Sequence, residues 1–149
     1  MIVSLTITLV LNMLNACTQT SQPYLTVSLT KTACYGQCPV YDFKLYSDCS
    51  ATFKGTAFTD KLGDWKSKAT KKQFNTIIEA FETSNFFEFE DRYYSEITDL
   101  PTTYLFYSDA NRDKKIMDYH GAPQELKDLE AMVESLIDKL EWQQIETNN

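Results

Sequence analysis

The sequence predicts a single α+β domain in which an antiparallel β-sheet carries two α-helices on one face. Two patterns predict this class. Segments that alternate apolar and polar residues, typical of half-buried strands, occur in two blocks. Each block ends in a segment with the apolar spacing of an amphipathic helix. The second face of such a sheet, rich in Thr, Ser, Asp, Lys and Tyr, is expected to face solvent or a partner.

The first block predicts three or four strands. Residues 24–31 and 40–46 alternate, and the turn residues 47–50 indicate a hairpin whose returning strand continues through residues 51–55. A further short strand is expected within residues 57–65, between two glycines.

The first helix is predicted at residues 71–83. Thr70 and Gln73 have the spacing of a capping box, in which each side chain bonds a free amide of the other residue. Apolar residues then recur every three or four positions. An extended segment is expected at residues 86–89, packed beneath this helix.

The second block predicts strands at residues 103–107 and 115–119, joined by a polar turn. Pro123 is expected to be the first residue of a second helix that runs to about residue 142. Residues 143–149 are expected to form a disordered tail.

Composition excludes several classes of protein. The 149 residues include 21 acidic and 14 basic side chains, a net charge of −7, which argues against a nucleic-acid partner. The 43% of hydrophobic residues suffices for a core and argues against disorder. Since no phosphate loop or dinucleotide fingerprint is present, no cofactor is expected.

The first sixteen residues are interpreted as a signal peptide. They carry no charged side chain, and they are shorter than the ~20 residues that a spanning helix needs. The sequence Leu14-Asn15-Ala16-Cys17 resembles the lipobox of bacterial lipoproteins. The resemblance implies cleavage before Cys17 and acylation of that residue, so that membrane lipid becomes a partner. A plain secretory signal and an uncleaved anchor are the alternatives.

The rest of the chain is expected to consist of a short tether, a single domain and the tail. Residues 17–23 are polar and are interpreted as a tether, and residues 24–142 form the single domain. The protein is therefore expected outside the cytoplasm. Because Thr18 rather than Asp follows Cys17, the outer membrane is favoured if the cell has two membranes.

Three further cysteines allow several arrangements. Cys34 and Cys38 are separated by three residues, and Gly36 gives the chain the freedom to turn between them. We favour a disulfide, because paired thiols outside the cytoplasm are normally oxidised. The alternatives are a zinc site that adds Cys49 and His120, a redox-active dithiol, and a pairing that includes Cys49. Cys49 is expected to be exposed at a hairpin tip.

The segment around Cys34 and Cys38 resembles a bacterial lipoprotein-type family of unknown function, domain-of-unknown-function family 6438. Its Cys-x-Gly-x-Cys-Pro-x-Tyr motif is met by Cys34, Gly36, Cys38, Pro39 and Tyr41. The resemblance implies the fold and the compartment, and no chemistry.

Two other segments enter the resemblance. An Asp-x-Pro-Thr segment is met by Asp99, Pro101 and Thr102. Cys49 occupies the place of a turn glycine, which implies either a strained left-handed residue or a different turn.

The sequence favours a lipid-anchored binding or structural module of the cell envelope, without catalysis and with an envelope protein as a partner. The alternative is an enzyme, or a redox or zinc protein, that uses Cys34, Cys38 and His120. The candidate binding or turn residues are Gly36, Pro39, Tyr41, Asp99, Pro101 and His120.

Overall fold

A computed structural model describes residues 22–146 of the chain. The predicted signal peptide, Cys17 and residues 147–149 lie outside the described residues. The elements, in chain order, are β1 Leu25–Lys31, β2 Val40–Tyr46, β3 Ser50–Ala57, β4 Gly63–Lys68, α1 Lys71–Thr83, a 3₁₀ helix Phe86–Glu88, β5 Arg92–Tyr93, β6 Thr103–Ser108, β7 Asp113–Asp118, α2 Gln124–Lys139 and β8 Gln143–Gln144.

All eight of these strands form one sheet, in the order β5-β7-β6-β1-β2-β3-β4-β8. Neighbouring strands are antiparallel except β5 and β7, which pair in parallel. The two blocks of the sequence meet at the centre of the sheet, where β1 pairs with both β2 and β6.

One hydrophobic core joins the sheet to the helices. Alternate residues of β2 and of most of β1 point toward it and are buried, as the alternating pattern predicts. The exception is the start of β1, where the register shifts and Thr26 rather than Leu25 is buried. Both helices contribute their apolar stripes to the same core, so the predicted α+β class is confirmed. Its largest fully buried side chains are Tyr107, Phe43, Phe81, Phe86, Leu29, Leu45, Leu105, Ile116, Leu126, Val27 and Val133.

Helix α1 has its predicted bounds because the capping box forms. The Thr70 hydroxyl accepts from the Gln73 amide at 3.2 Å, and the Gln73 side chain accepts from the Thr70 amide at 2.8 Å. These bonds satisfy amides that the first turn otherwise leaves free.

The strand expected within residues 57–65 begins later, at Gly63. The chain first folds back over β3, where a Cβ on Gly55 would lie 1.7 Å from the Lys61 carbonyl oxygen. Only glycine permits that approach. Residues 58–62 therefore form a loop, and β4 pairs with β3 only after it.

The segment after α1 is a 3₁₀ turn, so the prediction of an extended segment at residues 86–89 was wrong. Asn85 has a left-handed backbone with φ of +54°, which turns the chain back on itself. The Glu88 amide then donates to the Asn85 carbonyl at 2.8 Å. The predicted packing under α1 is confirmed, since the Phe81 and Phe86 rings lie 5.1 Å apart.

The second helix is shorter than predicted at both ends. Pro123 precedes it with an extended ψ of 157°, so the helix begins at Gln124. The chain leaves the helix after Lys139, because Leu140 is extended with ψ of 142°. The Trp142 indole then donates to the Ile137 carbonyl at 2.8 Å. Residues 143–144, predicted as disordered, form strand β8 on the edge of β4.

Within residues 22–146, no helix has both the length and the apolar composition that crossing a membrane requires.

Candidate functional site: the disulfide corner and the adjacent cleft

The corner between β1 and β2 is closed by a disulfide between Cys34 and Cys38, whose Cα atoms lie 5.7 Å apart. The Gly36 amide donates to the Cys34 carbonyl at 2.9 Å, which tightens the loop. Gly36 has φ of +157°, a region that residues with a Cβ rarely adopt. The favoured pairing of the two thiols is thus confirmed, and Gly36 has the role of a turn residue.

The two segments of the family resemblance meet at this corner. The Tyr35 amide donates to the Asp99 carbonyl at 3.3 Å, and the Thr32 amide donates to the Thr102 carbonyl at 3.0 Å. The Thr32 hydroxyl accepts in return from the Thr102 amide at 2.9 Å. Asp99 has a left-handed φ of +72°, and Pro101 lies half-buried between the two contacts. Asp99 and Thr102 therefore position the corner through the backbone, and Pro101 lies between them.

The alternative centre built from cysteines and His120 has no geometric support. His120 is exposed, beyond the end of β7, and its amide donates to the Tyr93 carbonyl at 3.4 Å. In the part of the chain that the structure describes, no group of three His, Cys, Asp or Glu residues is arranged to hold a metal ion.

Cys49 is buried, with 8% of its surface exposed, and the expectation of an exposed thiol was wrong. The chain that leaves β4 passes over the hairpin tip, where the Ala69 amide donates to the Cys49 carbonyl at 2.9 Å. Cys49 itself has a left-handed φ of +68°. Of the two turns that the resemblance left open, the structure therefore contains the left-handed one, at a residue with a Cβ.

Tyr41, the last residue of the motif, links the sheet to α2. Its hydroxyl donates to Glu134 Oε1 at 3.1 Å, and the same carboxylate pairs with Lys31. Its ring stacks on Phe53, with 5.0 Å between ring centroids. Burial and the negative charges of Glu134 and Asp138 raise the pKa of the Tyr41 phenol, so the hydroxyl stays protonated as a donor.

A cleft of about 300 Å³ opens beside the disulfide corner. One wall is the start of β2 with the last two residues of the motif, a second is α2, and the third is the loop of residues 58–61. Its lining residues are Pro39, Tyr41, Phe53, Phe58, Thr59, Asp60, Lys61, Glu134, Ile137 and Asp138. Of the predicted candidate residues, the structure thus brings Pro39 and Tyr41 to a cavity.

A second group of carboxylates comprises Glu130 on α2 and Asp118 at the end of β7. Burial raises the pKa of Glu130 to about 7, and the charges of Asp118 and Glu134 add to the effect while Lys31 opposes it. Burial also raises the pKa of Asp118, against the positive charges of Lys127 and His120. Glu130 Oε1 is buried and has no hydrogen-bond partner within residues 22–146.

Sequence reasoning missed the loop wall of the cleft. Phe58 was not singled out, because a lone aromatic residue in a polar stretch has no periodicity. The available signal was Gly55, since a glycine inside a strand often marks the close approach of another backbone.

Together, the fold and the site define a single-sheet α+β domain with a disulfide-closed corner and a polar, aromatic-lined cleft next to it. The family model described as Domain of unknown function (DUF6438) matches residues 25–137, and the chain belongs to this family. No match was found among curated proteins or among solved structures.

Proposed function

We propose that the protein is a lipid-anchored binding module of the cell envelope, held to the membrane by acylated Cys17 and without a catalytic role. The observation that carries the proposal is the Cys34–Cys38 disulfide, because such bonds form and persist in oxidising compartments. It agrees with the lipobox-like order Leu14-Asn15-Ala16-Cys17 that precedes the domain.

The short tether limits the distance between the domain and the membrane. Seven residues separate Cys17 from the first residue of β1. A chain of that length spans at most about 25 Å when extended, so the domain stays close to the lipid surface. A binding role is favoured over catalysis because the cleft brings Tyr41 of the motif together with polar side chains of α2 and of the 58–61 loop, whereas the thiols and His120 form no such centre within the described residues.

Membrane fractionation tests the anchor. The wild-type protein is expected in the membrane pellet after a high-salt wash, and a Cys17→Ala variant is expected in the soluble fraction or as an uncleaved precursor. Cys49→Ala is the matched control, since it removes a cysteine and leaves the lipobox intact. Retention of mature Cys17→Ala protein in the washed pellet would exclude anchoring through this residue.

A further inference from the structure

We infer that the cleft beside the disulfide corner binds the side chain of a lysine or arginine residue presented by a protein partner. The inference deepens the proposed binding function by naming the site and the chemical class of its ligand.

Phe58 supplies an aromatic face at the mouth of the cleft. Its side chain is 55% exposed, and its backbone has a left-handed φ of +51°, which is uncommon for a bulky residue. Such a conformation is strained for a residue with a Cβ, and here no burial of the ring offsets the strain. The close approach of the Lys61 carbonyl to Gly55 holds the loop against β3. The fold thus maintains an exposed aromatic ring next to a cavity.

The floor of the cleft is formed by two aromatic rings that are themselves buried. Tyr41 and Phe53 are 8% and 2% exposed and stack on each other. The hydroxyl of Tyr41 is fixed by its bond to Glu134. The open face is therefore that of Phe58, and such a face attracts a lysine or arginine side chain by the charge distribution of the ring and also accepts its apolar stem.

The charges around the rings select a cation. Three carboxylates line the cleft against one ammonium group, that of Lys61. Glu134 is already paired with Lys31 and Tyr41. Asp60 and Asp138 are exposed and take part in none of the ion pairs found within the described range 22–146, so their carboxylates are available. Hydrogen bonds between an ammonium or guanidinium group and a carboxylate are among the strongest available to a ligand.

The size of the cleft favours one side chain over a larger ligand. Its volume of about 300 Å³ is at the lower end of the range for small-molecule sites, and it opens at the surface. An extended side chain with a terminal cation matches an aromatic mouth and a carboxylate at one wall. The partner therefore presents a basic residue on an exposed segment.

Titration of the full-length mature protein in detergent with Nα-acetyl-L-lysine N-methylamide tests the inference. We expect binding in the millimolar range that weakens between 50 mM and 500 mM salt, as expected for a charged contact at the surface. The uncharged norleucine analogue is expected to bind at least tenfold more weakly. Equal binding of the two probes would overturn the inference.

Variants locate the site. Asp138→Asn and Phe58→Ala are each expected to weaken binding of the lysine probe about fivefold, and Lys61→Met is expected to strengthen it about threefold. The matched control is Asp128→Asn, which removes an exposed carboxylate ten residues earlier on α2 and is expected to change the affinity less than twofold. Unchanged affinity in the Asp138 and Phe58 variants, with native circular dichroism, would overturn the assignment to this cleft.

A last probe separates a protein side chain from a free amine. Butylammonium carries the same charge without the peptide groups, and we expect it to bind at least threefold more weakly than the lysine probe. Equal affinity would overturn the assignment to a protein partner. None of these results depends on membrane fractionation, so the failure of this inference and the failure of the lipid anchor are distinguishable.

Discussion

Replacing Glu130 with Gln is expected to stabilise the folded protein at neutral and higher pH. Glu130 is a residue of α2, and its Oε1 is buried without a hydrogen-bond partner within residues 22–146, while Asp118 and Glu134 add negative charge. Its pKa is raised from 4.5 to about 7. At a pH between these two pKa values, the folded protein therefore keeps a proton that the unfolded chain has lost.

The sign of the effect follows from linkage. In this pH window the folded state binds more protons than the unfolded state, so the contribution of Glu130 to stability falls as pH rises and is constant above pH 8. A difference of about 2.5 in pKa corresponds to roughly 3 kcal/mol. Since the carboxyl group retains some access to solvent, we reduce this to about 2 kcal/mol.

Urea unfolding of wild type and Glu130→Gln at pH 4.5 and pH 8 measures the effect. The variant is expected to be about 2 kcal/mol more stable at pH 8 and within about 0.5 kcal/mol of wild type at pH 4.5. Glu79→Gln, which removes an exposed carboxylate from α1, is the control and should change little at either pH. A Glu130→Gln variant that is no more stable at pH 8, or equally stabilised at both pH values, would refute the reasoning.

Three other predictions concern the corner, the loop and the buried thiol. The double variant Cys34→Ser/Cys38→Ser is expected to lower the free energy of unfolding by about 2 kcal/mol in urea unfolding, because the loop that the disulfide closes is short. A loss above about 4 kcal/mol would show that the disulfide does more than restrict the unfolded chain. Gly55→Ala is expected to lower the free energy of unfolding by about 3 kcal/mol or more in thermal unfolding, because its Cβ would meet the Lys61 carbonyl. The control is Gly121→Ala, whose Cβ would meet nothing within 4 Å. It should cost about 1–2 kcal/mol, because Gly121 has a left-handed φ of +90°. Equal costs at the two glycines would count against the close approach. Cys49 is expected to resist alkylation in the native protein and to react in urea, and rapid native labelling would contradict its burial.

Elements with a strong local signal were predictable from the sequence. The capping box gave α1 its bounds, and strict alternation gave the bounds of β2. The pairing of Cys34 with Cys38 followed from their spacing and from the compartment that the sequence predicts. In each case neighbouring residues along the chain determine the structure, so a local pattern carries the information.

Elements that depend on distant contacts were not predictable. Strand β8 consists of two glutamines with no apolar pattern, and it exists because β4 presents a free edge. The burial of Cys49 depends on the Ala69 amide, which arrives from the far end of β4. The cleft depends on the return of the loop over Gly55, which places Phe58 opposite α2. Apart from the approach of Lys61 to Gly55, which the glycine itself marks, these contacts join residues far apart in sequence, and no single stretch encodes them.

The central claim is that this domain is an acylated, disulfide-closed module of the cell envelope, and the mass of the intact protein tests it most directly. The protein is taken from the membrane fraction and alkylated before and after reduction, in urea. We expect a chain without residues 1–16, acyl mass on Cys17, one thiol labelled before reduction and three after it. An unmodified Cys17, or three labelled thiols without reduction, would contradict the account.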